Sequence, residues 1–545
     1  MAKILEKPII VALLLSVLAG YLYFFQLDKL ALTDPDETFY AQTAKEMVKR
    51  SEWLTPYLYG KPQFEKPIFF YWLIGISYKI FGINEFAARF PSAVFGLIGL
   101  IAIYLLGRLL FNNRVGLFSA VILATNLEYI ILSVGCVTDM ALSTFLLLGV
   151  FFFFYGQVRK KDYFYILSAA AFALATLTKG PIGILLPGFI LFVYLLATKN
   201  MSFFKKTNAL LWSAIVFILI ALPWFAIMYK LHAKAFLNEF FGFQNVTRFL
   251  TPEHKTGSQV YYNIPVVFGG FFPWSAFLPL GLWHIFNESR LSAEALAKAE
   301  TTNHESRTTK NASIFILLWF LIIFIFFSIS STKLPTYIFP CFISLALIVG
   351  KLWDDFLRRQ EEKFLLSGMK ASYYFLATAV ALTLIGSYIF IRMDYPCMLP
   401  GSVITALFVL FGALFSLTAF IKKRFLASFF LIAYMMAVSI YPAAMLALPG
   451  IEGYETAKGI SKAIVSYLKE GDILASERDF RAGVTFYTDK VPVLLDGNQS
   501  LSDLFGRSKR VFGVLKQKNV IDSRAHILYQ FGEKRLLTNI PDGKI

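Results

Sequence analysis

Long apolar runs separated by short polar stretches dominate the chain up to about residue 450. A helix needs about 20 apolar residues to cross a bilayer, and runs approaching that length recur often enough to predict about thirteen spans. The length of each run carries this prediction, not its periodicity. The predicted spans cover roughly residues 8–27, 89–110, 115–134, 140–157, 163–178, 182–198, 208–228, 264–284, 313–330, 335–350, 371–391, 401–420 and 426–447.

The polar segments divide the chain into two predicted domains. A membrane domain covers residues 1–449 and carries two long outer loops, 28–89 and 229–263. After residue 449 the charge density becomes ordinary. Short β-branched runs there predict strands, and a helical stretch accompanies them. The runs are DILASERDF, AGVTFYT and VPVLLDG, and the helical stretch is YETAKGISKAIVSYLKEG. Residues 450–545 are therefore predicted to form a small α/β domain on the outer side.

Composition and charge support a membrane protein. Apolar residues make up 57% of the chain and charged residues 16%, whereas a soluble globular protein has roughly 25% charged residues. The net charge of +17 comes from basic clusters between the apolar runs, such as 159–161 and 422–424, which follow the positive-inside pattern. A nucleic-acid partner is therefore not expected. An inside N-terminus and an odd number of spans place the C-terminus outside.

An acidic cluster, Asp34-Pro35-Asp36-Glu37, directly follows the first predicted span. Asp34 as N-cap, Pro35 at the first helical position and Glu37 three residues after Asp34 would form a capping box for the next helix. The alternative is catalytic, with one carboxylate taking the proton from an incoming nucleophile. Because capping would employ Asp34 and Glu37, Asp36 is the acid left for chemistry.

Two further charged positions, Lys66 and Asp139, are predicted at the ends of outer loops. Lys66 in QFEKP either pairs with Glu65 and extends to the interface or binds a lipid phosphate. Asp139 in GCVTDM either caps the next helix or serves a function, as acids at that depth usually do.

Lys179 in LTKGP and Lys333 in SSTKLPTY also fall at outer ends of predicted spans. Each could be an interfacial anchor. Together with Lys66 and Arg248, however, they place cations on the face where the acids lie, although the positive-inside pattern would put spare cations on the other. Acids and cations among aromatic residues on one face suggest an active site for an anionic lipid.

The order of motifs along residues 1–350 resembles a known family. These motifs are PDETFYAQTAKEM, YGKPQFEKPIFFYWL, FAARFPSAVFGL, TDMALSTF, LTKGPIGILLP, PWFAIMYK, NVTRF, FPWS and SSTKLPTYIFP. Their sequence is similar to that of the bacterial aminoarabinose transferases and related protein-mannosyltransferase-like membrane glycosyltransferases. The resemblance implies the GT-C fold, which makes the chain a polytopic α-helical membrane protein with about thirteen transmembrane helices.

The resemblance also implies residue roles. Asp36 matches the catalytic acid, and Asp139 the second acidic site; Glu37 joins them as a catalytic candidate. Lys66 matches the ligand of the carrier phosphate. The further substrate-binding candidates are Arg248, Tyr337, Lys179 and Lys333.

The resemblance raises the question of a divalent metal ion. The family has a histidine metal ligand where this chain has Asn245. Glu65 could still bind a cation if His254 in TPEHKTG substitutes for that histidine. A lone histidine in a polar loop is otherwise an ordinary solvated residue, and no other cofactor is expected.

The leading hypothesis is a glycosyltransferase at the outer face of the bacterial inner membrane. It would move a sugar from a polyprenyl phosphate carrier, such as undecaprenyl phosphate, to lipid A, another envelope glycolipid or a protein. The expected partners are this donor, the acceptor and membrane lipids. A secondary transporter or lipid flippase is the alternative, and it would place ionisable residues near the midplane in two related halves. A non-catalytic lipid-binding scaffold would not need Asp36 and Asp139 together. The C-terminal 200 residues carry little of the resemblance and are expected to determine which acceptor is used.

Overall fold

A computed structural model of the chain describes residues 7–25, 27–251, 259–297, 304–495, 501–507, 510–516 and 524–540, without the side chains of 292–297, 304–310 and 507. The helices of the membrane domain are α1 (Pro8–Ala19), α2 (Asp36–Arg50), α3 (Phe69–Phe81), α4 (Glu85–Leu110), α5 (Asn113–Ala124), α6 (Leu127–Ser133), α7 (Thr138–Arg159), α8 (Tyr163–Lys179), α9 (Ile182–Ala197), α10 (Thr207–Phe236), α11 (Asn263–Gly270), α12 (Leu278–Ala297), α13 (His304–Ile329), α14 (Cys341–Arg358), α15 (Lys363–Asp394), α16 (Leu399–Ile421) and α17 (Phe425–Pro442). A two-residue hairpin, β1 (Tyr57–Leu58) and β2 (Lys61–Pro62), lies between α2 and α3.

The described residues confirm a polytopic membrane protein but not the count of thirteen spans. Seven helices are long and apolar enough to cross a membrane, and two further pairs qualify only as bent units. These are α5 with α6, bent by 68°, and the segment 260–270 with the one that follows it, bent by 114°. Helices α8 and α9 are apolar but only 17 and 16 residues long. The prediction counted apolar runs and could not see where a helix bends or stops short.

Asparagine side chains begin three successive helices of the bundle. Asn84 accepts from the Ala87 amide at the start of α4, and Asn112 and Asn126 do the same for α5 and α6. Each satisfies a backbone N–H that the first helical turn leaves without a partner.

Small residues then let these helices approach closely. A Cβ on Gly107 of α4 would lie 2.9 Å from the Cα of Gly116 in α5, and one on Gly149 of α7 would lie 2.3 Å from the Phe172 ring of α8. Such contacts replace the hydrophobic driving force that is missing between helices in lipid.

The C-terminal domain is α/β, as predicted. It contains α18 (Lys458–Tyr467), β3 (Ile473–Glu477), α19 (Arg478–Thr488), β4 (Val493–Leu495), α20 (Leu501–Arg507), β5 (Val511–Lys516), β6 (His526–Phe531) and β7 (Lys534–Thr538). The sheet order is β4-β3-β5-β7-β6. Strand β3 runs parallel to β4 and β5, and β7 is antiparallel to β5 and β6. Helices α18 and α19 cover one face of the sheet, and α20 covers the other.

One predicted strand of this domain is wrong. The run AGVTFYT forms most of α19 and not a strand. Its apolar residues are spaced for a helix: Phe480 and Val484, four residues apart, are both buried against the sheet. That i, i+4 pair puts both side chains on one helical face, and β-branched content alone did not reveal it.

The C-terminal domain packs on the first long loop. The backbone N–H groups of Ala31 and Leu32 donate to the Glu452 carboxylate at 3.1 Å and to the Tyr487 hydroxyl at 2.9 Å. Farther along, the Lys45 ammonium lies 2.8 Å from the Asp489 carboxylate. Residues 28–89 and the C-terminal domain therefore lie on the same side of the membrane.

Candidate active site

The charged residues singled out from the sequence meet at one end of the helical bundle. Asp36 starts α2, Lys66 lies in the turn before α3, Asp139 is in the first turn of α7, and Lys179 ends α8. Arg248 follows the π-helical segment 237–247 that continues α10. Five elements that are distant in sequence thus place their ends together, which brings these two acids and three cations to one site.

Asp36 is the acid of this cluster that has no partner. Among the described residues, no group donates a hydrogen bond to its carboxylate and no cation pairs with it. Desolvation, together with the negative charges of Glu65 and Asp139, raises the pKa of Asp36, while Lys66 and Arg248 oppose the rise. A carboxylate that is partly desolvated and free of hydrogen bonds is a stronger proton acceptor than an ordinary surface aspartate.

Glu65 links the two cations nearest to it. The Lys66 ammonium lies 3.3 Å from Glu65 Oε1, and the Arg248 guanidinium lies 3.5 Å from the same oxygen while donating to Gln244 Oε1 at 2.6 Å. Desolvation lowers the pKa of Lys66, Glu65 opposes this, and the nearby charges of Lys179 and Arg248 add to it. Glu65 thus brings an ammonium and a guanidinium, two groups that bind phosphate oxygens, to one place.

Asp139 and Lys179 form a second, tighter pair. Their Oδ1 and Nζ atoms are 2.5 Å apart, and both side chains are largely buried. The Lys179 ammonium also lies 4.9 Å from the centre of the Tyr337 ring, a cation–π contact. Asp139 is thus held by a cation of the site, and Tyr337 borders the same group.

Lys333 is buried, and its side chain bonds to the backbone of its own loop. Its ammonium donates to the Ser330 carbonyl at 2.6 Å. The adjoining residues, Ser331 and Thr332, bond to the backbone around Arg248, where Ser331 N–H donates to the Phe249 carbonyl at 2.9 Å. Residues 331 and 332, next to Lys333, therefore hold the segment that carries Arg248 in place through backbone hydrogen bonds.

Glu37 lies in a buried ion pair that the sequence did not reveal. The Arg89 guanidinium donates to both Glu37 oxygens, at 2.8 and 2.7 Å, and its remaining N–H groups reach the carbonyls of residues 27, 30 and 31. Glu37 also accepts from Thr33 and from the Cys136 amide. We infer that Glu37 positions its neighbour Asp36 and does not react. The sequence did offer one sign of this ion pair: Arg89 lies near the start of an apolar helix, where a charged side chain needs a partner.

The capping box expected at Asp34 is wrong. Helix α2 begins at Asp36 without any side-chain cap, and Asp34 instead accepts from the Thr38 hydroxyl at 2.6 Å. Its carboxyl group packs against Gly483 of the C-terminal domain. The contact is so close that a Cβ added to Gly483 would lie 2.4 Å from Asp34 Oδ1. Desolvation raises the pKa of Asp34 to about 7, against the Thr38 hydrogen bond and the charge of Lys534.

The expected metal site stays a prediction. His254 lies outside the described residues, and the described ion-pair partners of Glu65 are Lys66 and Arg248. Asn245, at the position of the family histidine, donates to a backbone carbonyl at 2.6 Å. No step of the chemistry below is therefore assigned to a metal ion.

Comparisons with known proteins identify the fold and its relatives. The fold matches a crystal structure of ArnT from Cupriavidus metallidurans bound to undecaprenyl phosphate, with a TM-score of 0.79 over 97% of this chain and 98% of that one at 22% identity. Residues 65–226 match the dolichyl-phosphate-mannose-protein mannosyltransferase family. The chain has the GT-C fold. The fold and the resemblance predicted from the sequence motifs are thereby confirmed.

Relatives by sequence extend over most of this GT-C protein. It is 30% identical over 384 residues to an undecaprenyl phosphate-alpha-4-amino-4-deoxy-L-arabinose arabinosyl transferase of Proteus mirabilis, which covers 69% of this chain and 65% of that one. An uncharacterized protein of Aquifex aeolicus is 29% identical over 474 residues, or 86% of this chain and 85% of that one. The GT-C protein thus spans just under two thirds of the Proteus transferase and most of the Aquifex protein.

Proposed function

We propose that the protein transfers a sugar from a polyprenyl phosphate carrier to an acceptor. The observation that carries this proposal is the Asp36 carboxylate, which has no partner among the described residues, beside Lys66 and Arg248, two cations that both contact Glu65. A base and a phosphate-binding pair in one site are what such a transfer needs.

The chemistry follows from this placement. Asp36 takes the proton of an acceptor hydroxyl while the acceptor oxygen forms a bond to the anomeric carbon of the sugar. The bond from that carbon to the phosphate oxygen breaks, and its electron pair leaves with the lipid phosphate. Lys66 and Arg248 stabilise the charge that grows there. Attack opposite the leaving phosphate would invert the anomeric centre.

An apolar cavity beside the cations suits the carrier lipid. It has a volume of about 280 Å³ and lies between α3, α8 and α10, with Phe69, Leu177 and Trp224 among its walls. Phe69 follows Lys66 by three residues, and Leu177 precedes Lys179 by two. A polyprenyl chain in this cavity would place its phosphate near Lys66, one of the two cations assigned to it above.

The site end of the bundle is proposed to face the outside. In α7, Asp139 and Arg159 lie 20 residues apart, which is about 30 Å along a helix and matches the hydrocarbon thickness of a bilayer. The basic cluster 159–161 therefore lies at the opposite end and indicates the cytoplasm. A reporter that works only in the cytoplasm, fused after residue 545, should be inactive; an active fusion would reverse the orientation.

The position of the charges also argues against a transporter. The described ionisable residues of the site sit at helix ends and in loops, whereas a transporter concentrates them near the midplane. Movement of labelled lipid between leaflets without any transfer would favour the flippase alternative. The acceptor, whether glycolipid or protein, is not specified by these residues.

The decisive experiment is Asp36→Asn in the purified full-length protein. With a labelled polyprenyl-phosphate sugar and envelope fractions, transfer should fall to background while binding of the donor persists, because the amide keeps the shape but cannot take a proton. Asp28→Asn, an exposed acid of the same loop, is the matched control and should transfer normally. Activity of Asp36→Asn within a few-fold of wild type would contradict the proposal.

A further inference from the structure

The segment that leads from α10 to Arg248, Leu237–Thr247, is a π-helix of 11 residues. In a π-helix each residue bonds to the one five positions away, and such turns are rare and often lie at functional sites. Residues five apart therefore stack one above the other, whereas in an α-helix they would lie about 140° apart around the axis. The segment can thus form side-chain pairs that an α-helix of the same sequence could not.

Two side-chain hydrogen bonds in this segment follow the five-residue spacing. The Gln244 amide nitrogen donates to Glu239 Oε1 at 2.8 Å, and the Asn245 amide nitrogen donates to the Phe240 carbonyl at 2.6 Å. The first bond fixes which way the Gln244 amide faces, because a carboxylate can only accept. The amide oxygen is then turned to Arg248, which donates to it at 2.6 Å.

An aromatic contact anchors the segment to the end of α8. The Phe240 ring is 1% exposed and stacks on Phe236, with the ring centres 5.5 Å apart. Gly180 has a φ of 97° and lies so close that a Cβ on it would be 3.0 Å from Phe240 Cζ. The π-helical segment is therefore held against the end of α8 that carries Lys179.

Gln244 orients Arg248 without adding a negative charge beside it. The Arg248 guanidinium lies 3.5 Å from Glu65 Oε1, so the shorter of its contacts with Glu65 and Gln244 is the one to the neutral amide. A carboxylate in place of that amide would also accept from Arg248, but it would compensate the positive charge that attracts a phosphate. It would also repel Glu239, to which the amide donates. Only an amide can accept from Arg248, donate to Glu239 and stay neutral.

We propose that Gln244 is a positioning residue for the transfer: it aims Arg248 at the lipid phosphate and leaves the charge of the guanidinium available to that phosphate. This inference rests on the proposed function and deepens it, because it assigns a role to a residue that acts only through Arg248. Glu239 supports Gln244 by fixing the orientation of its amide. The π-helix brings the three side chains into one row.

The test measures lipid binding and transfer separately in the purified full-length protein. The probes for binding are labelled undecaprenyl phosphate and, as its uncharged match, the corresponding polyprenol. Gln244→Glu should weaken binding of the lipid phosphate by roughly tenfold, raise KM for the donor more than it lowers kcat, and leave polyprenol binding unchanged. Asn238→Asp, which adds the same charge at an exposed position of the same segment, should bind and transfer like wild type.

A double variant separates the orientation of Arg248 from its charge. In Gln244→Glu, Glu239→Gln, the carboxylate can accept from both Arg248 and the new amide, so the hydrogen bonds return while the negative charge stays beside Arg248. Binding of undecaprenyl phosphate should therefore remain weak. Glu239→Gln alone should bind like wild type, because Gln244 can still donate to the new amide oxygen. Gln244→Met, which removes both hydrogen bonds, should also weaken binding.

The outcomes separate this inference from the transfer function. Equal binding of undecaprenyl phosphate by wild type and Gln244→Glu would overturn the role of Gln244, even if transfer proceeds in both. Full recovery in the double variant would overturn the need for a neutral group. A loss of binding that polyprenol shares, or a lowered unfolding midpoint, would make the role of Gln244 structural. Wild type that binds undecaprenyl phosphate no better than polyprenol would contradict the donor site itself, and this inference with it. Selective loss in Gln244→Glu supports the inference whether or not Asp36 proves catalytic.

Discussion

The buried pair of Glu37 and Arg89 makes a sharp prediction, because it tests whether Glu37 positions or reacts. Glu37→Gln keeps the shape of the side chain but removes its charge. Arg89 would then stay buried, with its guanidinium 6% exposed, facing backbone carbonyls and an amide. Desolvation raises the pKa of Glu37, but the charge and hydrogen bonds of Arg89 outweigh it, so that the pKa lies below its ordinary value.

The size of the effect follows from the contacts. Five hydrogen bonds leave the Arg89 guanidinium, two of them to Glu37, and three more reach Glu37 from Thr33 and Cys136. Breaking a buried ion pair by removing one partner costs about 3–5 kcal/mol. The amide NH₂ of glutamine would also face N–H donors where the carboxylate accepted. An exposed pair in this chain, Lys206 with Asp162 at 2.6 Å, is worth at most about 1 kcal/mol.

The assay compares thermal unfolding and transfer for Glu37→Gln, Asp162→Asn and Asp36→Asn in detergent micelles. Glu37→Gln should lower the unfolding midpoint clearly and lose activity with it, Asp162→Asn should change neither, and Asp36→Asn should lose activity alone. A Glu37→Gln variant that unfolds like wild type but loses transfer selectively would refute the positioning role and make Glu37 a catalytic acid.

Three other variants test separate parts of the structure. Lys66→Ala should weaken binding of a labelled polyprenyl phosphate by about tenfold or more. Glu65→Ala removes the carboxylate that pairs with Lys66 and should not weaken this binding. Equal affinity of wild type and Lys66→Ala would show that Lys66 is not part of the donor site. Because the folded-state pKa of Asp34, about 7, lies above its ordinary 3.8, its contribution to stability is complete below 3.8 and is lost as the pH rises through 7. Asp34→Asn should flatten that decline in a pH series of unfolding midpoints, and an unchanged slope would contradict the assignment. Gly183→Ala should destabilise the protein, since its Cβ would lie 2.4 Å from the backbone of α8. Gly188→Ala should be neutral, because no atom lies within 4 Å of its Cβ. Similar thermal unfolding midpoints for the two variants would refute this packing.

The sequence predicted the fold class and which charged residues to consider, but not how they pair. Apolar run length is a local property, so the membrane domain could be read from it, and the motif order pointed to the GT-C fold. The pair of Asp139 with Lys179 joins residues 40 positions apart, and that of Glu37 with Arg89 joins residues 52 apart. Neither distance is set by local periodicity. Only helix packing decides which of several acids meets which cation.

The same reason explains the errors around Asp34. Its spacing to Glu37 fits a capping box, and the Thr38 hydroxyl that bonds to it instead gives no distinct sequence signal. Its actual neighbour, Gly483, comes from a domain at the other end of the chain. The sequence also could not predict that Glu65 pairs with both Lys66 and Arg248, because Arg248 lies 183 residues away.

The contact between the first loop and the C-terminal domain sets an order of events during synthesis. Residues 31 and 32 leave the ribosome 421 and 455 residues ahead of Glu452 and Tyr487, the groups that accept their hydrogen bonds. Membrane insertion of nearly every span is thus finished while the strand leading to Asp36 still lacks these partners. A nascent or prematurely terminated chain has its helices but lacks the contacts that fix residues 31 and 32, just ahead of α2.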